Sequence, residues 1–233
     1  TDIVVNDKGT YITSVGYTSN INEPGDIFWG AKGERPTVVA EADKWFKRYD
    51  ADSYPLENPP RGSHLGHWTG IASDTAGKYL FITASNEGAG VWRCEPGDNI
   101  NPSTGDCWLA KANSWVLITQ GDQPALNWTS ITCSSDGKYI AATTNDGSIY
   151  TSENANTNSI TFTEKLKVEN CNWSSIISDS SGKYLAVTGE KSDDKSQQIY
   201  TSDDFGNSWI VCNGTGQTES IFKSISLINL EPE

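Results

Sequence analysis

The sequence has no methionine, only two histidines and no long apolar run. Without methionine at position 1, we expect a processed chain or an excised fragment rather than a translational start at Thr1. No stretch approaches the roughly 18 apolar residues that a membrane-spanning helix needs, and no cleavable signal is visible. His64 and His67 alone do not make a metal site, so we expect neither a bound metal nor a cofactor.

Positive charge is also scarce. The chain has 17 Lys and Arg against 30 Asp and Glu, for a net charge of -13. Nucleic acids and anionic membranes attract proteins that present a basic face. The composition therefore argues against both as partners.

The cysteines favour an oxidising compartment. Cys94 and Cys107 bound a loop rich in Gly, Pro and Asn, which predicts a local disulfide. Cys171 and Cys212, each interpreted as following the fourth strand of a repeat, are a second candidate pair, and Cys133 is expected to be a buried free thiol. Glycosylation triplets at Asn127, Asn172 and Asn213 fit a secreted glycoprotein, although chance accounts for them equally well.

A repeat organises the chain. Residues 68–80, beginning Trp-Thr-Gly-Ile, recur as 128–140 and 173–185, and each copy carries Gly-Lys-Tyr at the same offset. Alternating apolar residues around a Gly-closed turn predict two antiparallel strands. A third strand is predicted at Ile27–Gly30, Val91–Cys94, Ile149–Ser152 and Ile199–Ser202. A fourth is predicted at Asn113–Val116, Ser159–Phe162 and Asn207–Ile210.

These units predict one all-β domain, a β-propeller of four-stranded antiparallel blades. The unit boundaries are about 1–67, 68–127, 128–172 and 173–221, and a partial fifth unit covers 222–233. An isolated blade leaves its faces and edges unprotected, so blades must stack around an axis. The extra strand either caps a four-bladed ring or belongs to a larger one.

The stretch Ser202-Asp203-Asp204-Phe205-Gly206-Asn207-Ser208-Trp209 matches the pattern Ser-x-Asp-x-Gly-x-x-Trp. In this respect the chain resembles the Asp-box (BNR, sialidase-like) repeat propellers. The resemblance implies a structural turn in which Ser202 and Asp204 brace a hairpin, Gly206 permits it and Trp209 packs beneath. Ser152-Glu153-Asn154 is a degraded copy.

The family that the chain resembles includes enzymes, namely sialidases and glucan hydrolases. A sialidase clamps a carboxylate with three arginines, whereas all four arginines here (Arg35, Arg48, Arg61 and Arg93) lie in the first two units. No pair of carboxylates stands out by spacing either. We therefore assign no catalytic residue and keep a secreted glycoside hydrolase as the alternative.

Two insertions are the candidate binding segments. Residues 43–67 hold Trp45, Arg48, Tyr49 and Tyr54, and residues 95–112 hold Trp108. Exposed aromatic and arginine side chains on loops stack on sugars or anchor protein partners. Alternatively, Trp45 and Phe46 belong to a displaced fourth strand, and the second insertion is a disulfide-stapled surface loop.

The sequence thus favours an extracellular, non-enzymatic propeller that binds a glycan or a protein partner. A purely structural module is a further alternative, with self-association through the strand predicted at Phe222–Leu230.

Overall fold

The computed structural model describes residues 2–5, 11–16, 26–31, 46–47, 67–85, 90–94, 115–118, 126–212 and 225. Every regular element in these ranges is a β-strand. Across the same ranges, no helix is long and apolar enough to cross a membrane.

The strands follow one another in groups of four. The first group is β1 (Asp2–Val5), β2 (Tyr11–Gly16), β3 (Asp26–Ala31) and β4 (Phe46–Lys47). The second is β5 (His67–Ser73), β6 (Leu80–Ser85), β7 (Gly90–Cys94) and β8 (Trp115–Leu117). The third is β9 (Trp128–Cys133), β10 (Ile140–Thr144), β11 (Ser148–Ser152) and β12 (Thr163–Lys167). The fourth is β13 (Cys171–Ser178), β14 (Leu185–Lys191), β15 (Gln197–Ser202) and β16 (Ile210–Val211).

Each group forms one antiparallel sheet in which the strands pair in sequence order. The first strands of successive sheets lie against one another, β1 on β5, β5 on β9 and β9 on β13. The first strand of each sheet is therefore the innermost. The described residues form four blades of a β-propeller, numbered blade 1 to blade 4 in chain order, and the predicted fold class is confirmed.

The predicted third strands all lie within β3, β7, β11 and β15. Two predicted fourth strands were misplaced. In blade 3 the strand is Thr163–Lys167 instead of Ser159–Phe162. In blade 4 residues 207–209 belong to the preceding turn, and β16 begins only at Ile210. The reason in blade 3 is the Asn154 side chain, which donates to the Ser159 carbonyl and accepts from the Thr161 N–H, so these residues are held in the turn.

An aromatic pair recurs inside the blades. The Trp128 ring meets the Tyr150 ring edge-on at 5.3 Å, and Trp173 meets Tyr200 in the same way at 5.6 Å. Both tryptophans are 2% exposed. Each therefore anchors its innermost strand to the third strand of its own blade through a large buried apolar ring.

The repeated Gly-Lys-Tyr segments close the first hairpin of blades 2, 3 and 4. The glycines Gly77, Gly137 and Gly182 all have φ between +70° and +76°. The N–H of the following tyrosine is bound by the side chain that opens the turn, Asp74 at 2.8 Å, Ser134 at 2.9 Å and Asp179 at 3.1 Å. The shared sequence thus encodes a turn whose polar atoms are satisfied locally.

These hairpins also join neighbouring blades. The Thr75 N–H donates to the Ser135 carbonyl at 2.9 Å, and the Ser135 N–H donates to the Ser180 carbonyl at 2.8 Å. A Cβ on Gly182 would lie 2.7 Å from the Tyr139 Cβ of the preceding blade, and one on Gly137 would lie 2.8 Å from Tyr79 Cδ2. Glycine is therefore required both for the turn and for the close approach of the next blade.

Replacing Gly182 with Ala should lower the free energy of unfolding by about 1–3 kcal/mol, because the new Cβ adds left-handed strain and meets Tyr139. Equilibrium unfolding in urea measures the loss. The control is Ser180→Ala, an exposed change in the same turn. Equal stability of the two variants would contradict this account of the turn.

Candidate functional site

The blades have two distinct ends. In a meander of antiparallel strands, the first and third turns of each blade lie at one end, which we call the hairpin end. The second turn and the link to the next blade lie at the other, which we call the connection end. The 43–67 insertion contains β4: its residues 48–66, between β4 and β5, begin and finish at the connection end, whereas Trp45 precedes β4. The insertion between β7 and β8 begins and finishes at the hairpin end. The two candidate binding segments therefore leave the sheets on opposite sides.

The turn from Ser202 to Trp209, at the hairpin end of blade 4, is held by its own polar atoms. The Ser202 hydroxyl donates to Asp204 Oδ1 at 2.9 Å and accepts from the Gly206 N–H at 2.9 Å. Asp204 accepts from the Ser208 N–H at 2.8 Å and from its hydroxyl at 2.6 Å. The Trp209 Nε1 donates to the Gly206 carbonyl at 2.9 Å. These side chains therefore make their hydrogen bonds within the turn itself.

The same turn connects blades 3 and 4. Phe205, in the left-handed region at φ 62°, stacks on Tyr139 of blade 3 with ring centroids 4.5 Å apart. Its N–H donates to the Lys183 carbonyl at 3.0 Å. A Cβ on Gly206 would lie 2.9 Å from Thr151 of blade 3. The turn is thus part of the contact between the blades.

The degraded copy in blade 3 keeps part of this bonding. The Ser152 hydroxyl donates to Asn154 Oδ1 at 2.9 Å, and Asn154 Oδ1 also accepts from the Thr161 N–H at 3.1 Å. Asn154 therefore performs the acceptor role of Asp204 with a neutral amide, across a longer turn. An amide oxygen is sufficient because both bonds come from neutral donors.

A buried arginine, which nothing in the sequence assigned to the scaffold, reinforces the contact between blades 2 and 3. Arg93 on β7 is 2% exposed. Its Nη1 donates to the Ala155 carbonyl of blade 3 at 2.7 Å and to the Thr157 carbonyl. Blades 2 and 3 are therefore tied by a charged donor on backbone oxygens. The only sequence signal is its position on the third strand, where blades 3 and 4 have Thr151 and Thr201.

Most of the perturbed carboxylates are acceptors in such turns. The Ser208 hydroxyl lowers the pKa of Asp204, Ser134 lowers that of Asp136, and Ser196 lowers that of Asp194. For Asp146 and Asp179 partial burial acts in the opposite sense, but the bonds from Thr144 and from Ser181 prevail and lower the pKa. These carboxylates are therefore ionised at neutral pH. An ionised carboxylate accepts hydrogen bonds but has no proton to donate as a general acid.

Asp74 differs, because burial raises its pKa. The residue is 4% exposed, and its carboxylate binds the Tyr79 N–H inside the hairpin of blade 2. It occupies the position of Ser134 and Asp179 in the other hairpins, so its role is structural. No group of three or more His, Cys, Asp and Glu side chains that could hold a metal occurs in the part of the chain that the structure describes.

At the connection end, the innermost strands of blades 2, 3 and 4 share a β-bulge. The extra residues are Thr69, Thr129 and Ser174, which follow the buried tryptophans. Their hydroxyls lie 3.0, 2.8 and 3.2 Å from those of Thr83, Thr143 and Thr188 on the second strand. Three adjacent blades thus present equivalent, partly exposed hydroxyl residues beside one another at this end.

The bulge explains why two of the three glycosylation triplets occur at equivalent positions of the repeat. In Asn127-Trp128-Thr129 and Asn172-Trp173-Ser174, the last residue is the bulged hydroxyl and the tryptophan is the buried anchor. Asn172 is exposed, and its amide donates to Ser192 Oγ at 3.0 Å, whereas Asn127 is half-buried. The triplets therefore recur as part of the repeat. Asn213 lies outside the described residues.

The predicted ligand-binding residues Trp45, Arg48, Tyr49, Tyr54 and Trp108 all lie outside the described residues, as does Cys107. Their neighbour Phe46 is on β4, the fourth strand of blade 1, where it pairs with Trp29. For Phe46 the alternative of a displaced fourth strand is therefore the one observed. Cys94 ends β7.

The interpretation of Cys171 and Cys212 as a disulfide was wrong. Cys171 does follow the fourth strand of blade 3, β12, but it also begins β13, the innermost strand of blade 4, and Cys212 follows the outermost strand β16 of that same blade. Three strand spacings, about 14 Å, separate such positions, which is beyond the reach of a disulfide. Both residues are thiols, as is Cys133 at the end of β9. Burial raises the pKa of Cys133 and raises that of Cys171 to about 12.

No family model matches the sequence, and no curated protein matches it. Solved structures do resemble the fold. A GH74 enzyme of Niastella koreensis matches 90% of the chain with a TM-score of 0.57 at 13% identity. U3-55K matches 90% with a TM-score of 0.55 at 15% identity, and the WD40 repeats of RRP9 match 90% with 0.55 at 14%.

These matches are β-propellers and, at such low identity, they show the fold alone. The chain spans 29% of the GH74 enzyme, 50% of U3-55K and 49% of the RRP9 structure. The chain therefore spans half or less of the length of each of these structures.

Replacing Ser202 with Ala should lower the free energy of unfolding by about 1–3 kcal/mol, because the buried Gly206 N–H loses its acceptor. Asp203→Ala, a change at an exposed position of the same turn, should cost less than about 0.5 kcal/mol. Thermal or urea unfolding compares them. Equal losses of unfolding free energy in the two variants would contradict the explanation by the buried Gly206 N–H.

The lowered pKa of Asp204 makes its stabilising effect depend on pH. A carboxylate with a depressed pKa stabilises the folded chain above its unfolded pKa, near 4, and this effect is lost as the pH falls through the folded value. Asp204→Asn should therefore lower the melting temperature at pH 7, and the difference from the parent should shrink below pH 4. Asp203→Asn, at the exposed neighbour, is the control and should show no such convergence.

Proposed function

We propose that this chain is an extracellular, non-catalytic propeller of the Asp-box type, which presents a binding surface for a protein partner at the connection end of its blades. The proposal rests on what the repeated polar side chains bind. Ser202, Asp204, Ser134 and Asp179 all bond to backbone groups of their own turns. Side chains that bind the scaffold at neutral pH are not available for proton transfer.

The connection end supports binding for two reasons. The bulged residues Thr69, Thr129 and Ser174 form an array of hydroxyls across three rigid blades. Residues 48–66 of the 43–67 insertion, with Arg48, Tyr49 and Tyr54, link β4 to β5 at this same end. A rigid scaffold that carries an aromatic and arginine-containing loop is a common design for recognition.

A protein partner is the preferred class. The net charge of -13 on this chain disfavours nucleic acid and anionic membranes as partners. The extracellular location is proposed from the Cys94–Cys107 pair and from the exposed Asn172 triplet. A glycan partner, read by the same aromatic side chains, is the other outcome that the experiment must distinguish.

The triple replacement of Arg48, Tyr49 and Tyr54 with Ala should reduce partner binding at least tenfold without a change in unfolding temperature, because the aromatic and arginine anchors of an interface contribute more than about 1.4 kcal/mol together. Trp108→Ala, in the insertion at the opposite end, is the matched control and should retain binding. Purified chain would be probed on a glycan array and an extracellular protein array, with both retention and cleavage recorded.

Retention on the protein array, lost in the triple variant alone, supports the proposal. Retention on sugars without cleavage would replace the protein partner with a glycan. Cleavage of any glycan would overturn the non-catalytic assignment in favour of a secreted hydrolase. Binding that is lost on replacing Trp108 alone would move the surface to the hairpin end.

A further inference from the structure

Blades 2 and 3 carry side chains of very different size where each meets the next blade. Strand pairing puts Phe81 opposite Arg93 in blade 2. At the same register position of blade 3, Ala141 lies opposite Thr151. Phe81 is fully buried in a cluster with Ile140 of blade 3, and Arg93 is 2% exposed. Two large side chains that fill the contact between blades 2 and 3 therefore correspond to two small ones in the contact between blades 3 and 4.

Phe205 of blade 4 fills part of the difference in volume. The Phe205 N–H donates to the Lys183 carbonyl at 3.0 Å, just as the Ala155 N–H donates to the Lys138 carbonyl at 2.9 Å, so the two residues are equivalent. Blade 4 thus has a phenyl ring where blade 3 has a methyl group. The larger side chain offsets part of the volume that the small pair of blade 3 gives up.

A small cavity remains between blades 3 and 4. Blade 3 lines it with Ala141, Thr151 and Ser152, among others, and blade 4 contributes Ser178 and Leu185. All five side chains are buried or half-buried. The cavity therefore belongs to the interior of the contact between the two blades.

The size of the cavity limits what it can hold. It offers about 10 Å³ to the centre of a water molecule, and one buried water needs roughly 10–15 Å³ by this measure. A guanidinium group such as that of Arg93 is larger. No carboxylate is among the described residues that line the cavity, so a bound cation would lack a counter-charge. Water is the occupant that fits.

The walls also carry the polar groups that a buried water requires. Thr151 is 4% exposed, and its hydroxyl has no hydrogen-bond partner among the described residues. The Ser178 hydroxyl donates to the Cys133 carbonyl at 3.2 Å and lies 3.0 Å from Thr132 Oγ1. Since a hydroxyl has one donor and two acceptor sites, Ser178 retains an acceptor. A buried hydroxyl without a partner costs about 1–3 kcal/mol, which a water in the cavity would offset.

We propose that the cavity between blades 3 and 4 binds one structural water. The water accepts a hydrogen bond from the Thr151 hydroxyl and donates to oxygens of the walls, of which Ser178 Oγ belongs to blade 4. It joins blades 3 and 4 at the position where Arg93 joins blades 2 and 3 directly. The contact between blades 3 and 4 is therefore mediated by solvent, and Thr151 is the residue that holds it.

Oxygen-17 relaxation dispersion of the solvent tests this directly, because it counts waters that a protein holds for longer than its own tumbling time and ignores exchanging hydroxyl protons. The parent would be compared with Thr151→Val, which keeps the shape of threonine without the hydroxyl, and with Thr151→Ser, which keeps the hydroxyl. The dispersion amplitude of the valine variant should fall by the equivalent of one water, and the serine variant should match the parent. Equal amplitudes in the parent and the valine variant would overturn the proposal.

Rotating-frame Overhauser spectra of the parent locate the water without any substitution. The methyl groups of Leu185, on the blade 4 wall, should show cross-peaks to the water resonance. Val187 is the control, because it is fully buried on the same strand but does not line the cavity, and its methyl groups should show none. Leu185 methyl groups without a water cross-peak would contradict a bound water, whether or not the variants fold.

Unfolding in urea supplies an independent sign. Removing a hydroxyl that is bonded to a water should lower the urea midpoint of Thr151→Val, because the water loses a partner. Removing a hydroxyl that is buried without any partner should instead raise the midpoint, since replacing such a group with an apolar one of the same shape is stabilising. A raised midpoint in the folded valine variant, with folding checked by circular dichroism, would therefore also overturn the proposal.

Discussion

Each four-stranded sheet in this protein has two faces that need covering, and the contact between successive innermost strands is how they are covered. Trp128 and Trp173 fill the blades, but the isoleucines Ile131 and Ile176 are buried only because another blade lies against them. Side chains such as Ser130 then satisfy backbone donors that the close approach would otherwise leave unpaired. Burial and hydrogen bonding therefore depend on the same contact, so a blade is stable only beside its neighbours.

The turns extend this dependence to the periphery. Gly182 packs on Tyr139, and Phe205 stacks on the same ring, so both hairpin-end turns of blade 4 rest on blade 3. The polar residues that recur in the sequence are bound within these turns. A scaffold of this kind leaves recognition to the segments that depart from the repeat, which is why the proposed binding surface lies where the insertion after β4 joins blades whose hydroxyls are already aligned.

Some of this could be predicted from the sequence because it is local. The Gly-Lys-Tyr hairpins and the four-stranded units are encoded within short segments, where strand alternation and left-handed glycines leave few alternatives. The fourth strand of blade 3 was misplaced because a side chain, Asn154, held residues in the turn that have strand-forming character. The cysteine pair was misassigned because Cys171, which follows a fourth strand, also begins the next innermost strand, so the full width of blade 4 separates it from Cys212.

The blade, the order of its strands, the turn chemistry and the excess of acidic residues can all be inferred from the sequence alone, since each follows from neighbouring residues or from composition. Which positions meet across blades becomes visible only in the folded chain. It showed that Arg93 binds carbonyls of blade 3, that Thr129 and Ser174 are bulged, and that the two insertions leave from opposite ends. These contacts join residues tens of positions apart, and no periodicity within one repeat specifies what lies against its faces.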